Sequence, residues 1–215
     1  MIFDYDGTCY DCLKLYGSSV RKAFERLKAE GYVPKVKDDD ETLKRFLGMR
    51  ADEMWMEVIP EAPSEVHKRA IKMVGEGLIK GAMEREAELF DGIEELLGKL
   101  KSMGHTLLIL SNCPTIYKDA HMNAFDLKRY FDRFYASGEY PGLSKTEIFE
   151  IIRAEYPGKY CFIGDKIGDL EAGLRNGYAT VACHYGYGSE EELKAASYHV
   201  YSVAELEDVL TSMQV

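Results

Sequence analysis

Apolar residues along this chain change their spacing part-way, and the change divides it. Between residues 11 and 88 they recur at three- and four-residue intervals, as a helix with one buried face requires; Ala70, Ile71, Val74, Leu78 and Ile79 form the clearest series. Start and stop signals agree with that period. Ser18 or Ser19 is placed to cap a helix running to Glu30, where Gly31 supplies the stop, and Asp40, Ala51 and Ser64 open three further helical stretches. Trp55 falls at helical spacing and is expected to pack inside this bundle.

From about Phe90 the pattern alternates between helix and strand. Ile93, Leu96, Leu97 and Leu100 make a helical face that Gly104 ends, and TLLIL at 106–110 is the continuous apolar run of a strand covered on both faces. The cycle then repeats. A helix through Ile116 to Phe125 leads to a short strand near Phe134, and a helix through Ile148 to Ala154 leads to YCFI at 160–163. A helix from Leu170 precedes ATVAC at 179–183, and the run YHVY at 198–201 precedes a helix from Val203 to Leu210. Strands alternating with helices predict a parallel sheet with right-handed crossovers. Ile2 and Phe3 must then join that sheet across the helical segment. The expected organisation is an α/β core of residues 1–10 and 89–215 with an insert at 11–88.

Composition narrows the partners. With 37 acidic against 27 basic residues the net charge is -10, which argues against non-specific binding to nucleic acid or an anionic membrane. No apolar run approaches the roughly 18 residues of a membrane span, and no secretory segment opens the chain, so a cytoplasmic protein is expected. Five cysteines make an odd number and fit reduced thiols. Cys9 and Cys12 form a C-x-x-C without the second pair that a structural zinc would need, and they read as ordinary thiols.

The candidate chemistry begins in IFDYDGTCYD at 2–11. In a strand, Asp4 and Asp6 share a face while Tyr5 points to the other, and two carboxylates so placed repel unless a cation or a shared proton relieves them. Ligands of an open parallel sheet bind outside the carboxyl ends of its strands, so each strand end is a test. The first ends in Asp4, TLLIL in Ser111-Asn112, and YCFI in Gly164-Asp165 with Asp169 four residues on; Lys145 lies in SKTEIF at 144–149. Singly, Ser111-Asn112 reads as a turn, Asp169 as a helix cap and Lys145 as a surface charge. Together they converge on one edge.

DYDGT at 4–8, LSN at 110–112, Lys145 and GDKIGD at 164–169 resemble, in order and separation, the four motifs of the haloacid dehalogenase superfamily. The helical insert and YGYGSEEEL at 185–193 resemble its phosphoglycolate phosphatase and β-phosphoglucomutase branch. The resemblance implies a Rossmann-like α/β core, helices on both faces of its sheet, and an all-helical cap at 11–88. It implies a phosphatase acting on a small phosphorylated metabolite, as monomer or homodimer. Asp4 would be the nucleophile that forms an aspartyl phosphate, and Asp6 the general acid and base. Mg²⁺ would sit among Asp4, the backbone carbonyl of Asp6, Asp165 and Asp169, a set of hard oxygen donors. Lys145 would neutralise phosphoryl charge, while Ser111, the Asn112 amide and the Gly7-Thr8 segment would bind phosphoryl oxygens.

Asp6 weighs against carbon–halogen chemistry, since halide needs no acid to leave. In FLGMRADEMW at 46–55, Arg50 is either a surface charge or a guanidinium for a substrate carboxylate or second phosphate. The sequence departs from the family pattern in having only Met1-Ile2-Phe3 before the nucleophile, no Lys-Pro in the third motif, and Cys9 where Leu is common. Two alternatives remain open: a β-phosphoglucomutase-type phosphomutase and a catalytically idle binding or regulatory module.

Overall fold

A computed structural model of the chain describes residues 1–49 and 51–213. The chain divides into two compact units, Met1–Asp11 with Glu88–Val215 and Cys12–Ala87.

The first unit is built on a six-stranded parallel sheet, β1 (Ile2–Phe3), β2 (Leu108–Ser111), β3 (Arg133–Ala136), β4 (Cys161–Gly164), β5 (Ala179–Cys183) and β6 (Tyr198–Val200), in the order β3-β2-β1-β4-β5-β6. Every residue of β2 and β4 is buried, and successive side chains face opposite ways, so both faces of the sheet are covered. This is the α/β fold that the alternating pattern predicts.

β1 is only two residues long and still occupies an interior position, Ile2 lying between Leu108 and Phe162 and Phe3 between Ile109 and Ile163. Bonds at both ends extend its ladder: Leu108 N–H donates to Met1 O at 3.0 Å, and Asp4 N–H to Ile163 O at 2.8 Å. A strand with neighbours on both sides has its backbone groups satisfied over a short length.

Helices α5 (Ile93–Ser102), α6 (Thr115–Ala124), α7 (Lys145–Glu155), α8 (Ile167–Asn176), α9 (Glu190–Leu193) and α10 (Val203–Ser212) complete this unit. α7 and α8 contribute Ile148, Phe149, Ile152 and Leu170 to a core shared with Leu108, Leu110 and Phe162 of the sheet. The sequence pattern does not predict α9, because Leu193 is its one buried residue and a single apolar position has no period.

The second unit holds α1 (Leu13–Ala29), α2 (Asp40–Phe46), α3 (Ala51–Val58) and α4 (Ser64–Met83). The last three begin where the sequence signals place them. α1 does not: it starts before Ser18 and Ser19, which lie inside it, and Cys12 holds the N-cap position. The buried face of Leu15, Tyr16, Val20, Phe24 and Leu27 carries the helical period back past the serines. Ser19 faces α4 instead, where a Cβ on Gly77 would lie 2.7 Å from its Oγ, so the two helices meet closely at that glycine. Trp55 is buried in this unit, edge-to-face with Phe24 at 5.8 Å.

Candidate active site

The site grows from the ends of β1 and β4 and the starts of α7 and α8. After β1 the chain turns back sharply, with Cys9 and Tyr10 N–H both donating to Tyr5 O at 2.9 Å. Gly7 sits in that turn at φ +90, and a Cβ there would lie 2.4 Å from Asp165 Oδ2. Only glycine meets both conditions.

Asp165, directly after β4, is fully buried. Thr8 Oγ1 donates to its Oδ1 at 3.1 Å and Tyr187 N–H to its Oδ2 at 2.9 Å, so each oxygen is held by one donor. The segment 185–188 is packed hard against this carboxylate. A Cβ on Gly188 would fall 1.8 Å from the Asp165 carbonyl oxygen, one on Gly186 would meet Asp165 Cβ at 2.4 Å, and Tyr185 OH donates to Thr8 O at 2.8 Å.

Asp169 lies in the first turn of α8. Its Oδ2 accepts the Lys166 N–H at 2.8 Å, capping the helix, while its Oδ1 accepts from Lys145 Nζ at 2.6 Å. Lys145 opens α7 behind the N-cap Ser144, and its side chain is only 6% exposed. Its ammonium also donates to Asp4 Oδ1 at 2.5 Å. Carboxylate oxygens of Asp4, Asp165 and Asp169 all lie within 4.8 Å of one another.

Burial and the nearby Asp169 push the Asp4 carboxyl well above the usual carboxylate range, against the pull of Lys145. The same two causes raise Asp165 to about 7. Burial works to discharge Lys145, but the carboxylates of Asp169 and Asp4 outweigh it and hold the ammonium charged. When all three are ionised, three carboxylates against one ammonium leave two negative charges to be balanced.

That arrangement of four motifs has counterparts. Residues 1–183 match the family of haloacid dehalogenase-like hydrolases. The chain belongs to this family. Over 220 residues it is 30% identical to a 5'-nucleotidase from Pseudomonas aeruginosa, covering 99% of this chain and 95% of the relative. It is 24% identical to a phosphoglycolate phosphatase from Aquifex aeolicus, covering 87% and 85% of the two chains. Among solved structures, a predicted phosphatase from Clostridium acetobutylicum superposes with a TM-score of 0.80 at 29% identity, covering 99% and 97%. CbbY from Rhodobacter sphaeroides in complex with phosphate shares the fold, with a TM-score of 0.76 at 20% identity, covering 95% and 94%. This haloacid dehalogenase-like hydrolase is a phosphoric monoester hydrolase.

Asp4, Lys145, Asp165 and Asp169 are thus brought together in the hydrolase, and Lys145 is no surface charge. Asp6 is half-buried beside them in sequence, but its Oδ1 accepts from Tyr117 OH at 2.5 Å. Ser111 ends β2, next to β1, with 2% exposure, and Asn112 follows it at the surface. Two expected phosphate contacts are otherwise engaged. The Gly7 N–H donates to Tyr10 O at 2.9 Å because the turn closes on itself, and Thr8 is fully buried with its hydroxyl on Asp165. Arg50 lies outside the described residues.

Sequence reasoning missed Tyr117 and the grip of segment 185–188 on Asp165. Two glycines flanking a tyrosine just past the end of a strand were the available signal for the second; a tyrosine in an ordinary helix gave none for the first. The carboxylate set fits Mg²⁺: hard oxygen donors, with Asp4 and Asp165 buried and Asp169 partly so, and when all are ionised short of two positive charges.

Proposed function

We propose that this hydrolase removes phosphate from a small phosphate monoester through an aspartyl phosphate on Asp4, with Mg²⁺ as cofactor. The observation that carries the reading is the buried Lys145 ammonium bridging Asp4 and Asp169 beside Asp165. A nucleophilic carboxylate is kept ionised in a dry site only where cations balance it. Asp4, Asp165, the Asp6 carbonyl and Asp169 would hold the metal, Asp169 directly or through water. When bound, Mg²⁺ supplies the charge that lets a phosphate dianion approach a carboxylate.

In the first half-reaction an Asp4 oxygen bonds to phosphorus as the bond to the leaving oxygen breaks, and Asp6 gives that oxygen a proton. In the second, a water oxygen attacks phosphorus, Asp6 takes the proton back, and Asp4 is released. The Ser111 hydroxyl and the Asn112 amide are the donors assigned to the phosphoryl oxygens, with Lys145 balancing their charge. The helical unit is assigned the selection of the organic group, with Arg50 as its candidate anion contact. A nucleoside monophosphate and phosphoglycolate are the substrates suggested by the relatives. Among the described residues no helix is long and apolar enough to cross a membrane, in keeping with a cytoplasmic pool of such metabolites.

The test is phosphate release from 5'-nucleoside monophosphates, phosphoglycolate and an aryl phosphate, with Mg²⁺ or chelator, by wild type and Asp4→Asn. Turnover that needs Mg²⁺ and vanishes in the variant is expected. Undiminished turnover by Asp4→Asn would sink the aspartyl-phosphate reading, and transfer to a sugar hydroxyl instead of water would make the enzyme a mutase.

A further inference from the structure

We propose that Tyr117 is a positioning residue that fixes which oxygen of Asp6 carries the catalytic proton. The inference rests on the reading of Asp6 as general acid and base. Tyr117, in the first turn of α6, is buried, and its hydroxyl donates to Asp6 Oδ1 at 2.5 Å. Asp6 Oδ1 thus has a hydroxyl donor of its own.

The tyrosine is itself held rigidly. Its ring lies on that of His121 at 4.0 Å between centroids, one helical turn later in α6. His121 is fully buried, and its Nδ1 lies 2.9 Å from Tyr5 OH. Tyr5 sits between the two aspartates and stacks on Tyr10 at 5.5 Å with an interplanar angle of 4°. The aromatic column therefore ties the aspartate loop to the helix that carries Tyr117.

A carboxylic acid carries its proton on one of two oxygens, and the terminal torsion of Asp is broad. With Oδ1 accepting from Tyr117, the acid proton resides on Oδ2. As the phosphorus–oxygen bond breaks, its electron pair goes to the leaving oxygen and the Oδ2 proton moves there, leaving Asp6 as carboxylate. Oδ2 then accepts one proton from the attacking water, restoring the starting acid. Tyr117 changes no bond in either half; it keeps the correct oxygen in place through both.

Tyr117→Phe removes the hydroxyl and keeps the ring on His121. The measurement is kcat/KM across phosphate monoesters from alkyl to dinitrophenyl, because a good leaving group departs without a proton. The expected result is a loss of about 10- to 100-fold on alkyl esters, shrinking to within about 3-fold on dinitrophenyl phosphate. In an Asp6→Asn background the same substitution should cost nothing further, whereas a merely structural role would still add its loss. Equal losses across the series, or no loss on alkyl esters, would overturn the inference while leaving the phosphatase reading intact. A wild type whose turnover survives Asp4→Asn would overturn both.

Discussion

Asp165 is oriented by two residues distant from it in sequence. Its Oδ1 accepts from the Thr8 hydroxyl and its Oδ2 from the Tyr187 amide, which fixes where the carboxylate points. Thr8→Val keeps the shape and removes the donor, leaving the buried Oδ1 without that hydrogen bond. Mg²⁺ affinity, followed by titration calorimetry, should fall by about 10-fold or more, while far-UV circular dichroism stays unchanged. An unaltered affinity would mean that Tyr187 alone is enough to orient Asp165. The position of the aspartates at strand ends was legible in the sequence, although the pair taken alone reads equally well as a strand end running into an Asp-Gly turn. The task of Thr8 was not, because a hydroxyl next to a glycine gives no sign of which of the residues after Phe3 or Ile163 it will meet.

Helix α8 places Asp169 and must lie close to the sheet to do so. Gly173 allows that approach: a Cβ there would lie 2.7 Å from both Phe162 Cδ2 and Thr180 Cγ2. Neither neighbour can yield. Phe162 is packed against Phe149 at 5.0 Å, and Thr180 is β-branched, fully buried and bonded through its hydroxyl to Ser197. Helix propensity alone favours alanine over glycine by about 1 kcal/mol, but the clash is the larger effect. Gly173→Ala should therefore destabilise by about 1–3 kcal/mol, seen as a lower denaturant midpoint at constant slope. A stabilised variant would show that α8 can shift outward freely. The existence of α8 is plain from its apolar period; its distance from the sheet is set by the residues it meets.

At the scale of the whole molecule, metal, proton and stability are linked. Burial and Asp169 raise Asp165 to about 7, so without a cation the folded protein binds that proton more tightly than the unfolded chain does. Its contribution favours the fold in acid and is lost as pH rises toward 7, where the carboxylate must be held charged. Mg²⁺ bound as proposed would relieve this cost and compete with the proton. The rise in melting temperature on adding Mg²⁺ should be small at pH 5 and grow through pH 7 to a plateau. A rise that is largest at pH 5 would contradict the assignment of Asp165 as a ligand. His121, which burial lowers to about 3, has the opposite sign, losing stability as pH falls below its unfolded value. Its effect is the same with and without Mg²⁺ and cancels in the difference. The sequence by itself determined the α/β core and the placing of Asp4, Ser111 and Asp165 at the ends of strands, because hydrophobic period and strand-end placement are local properties. Only the tertiary structure decided that Lys145 is buried between Asp4 and Asp169, that Thr8 and Tyr187 grip Asp165, and that Tyr117 reaches Asp6. Those pairs lie up to 157 residues apart, and what joins them is the close packing of strand ends and helix starts, which no local pattern encodes.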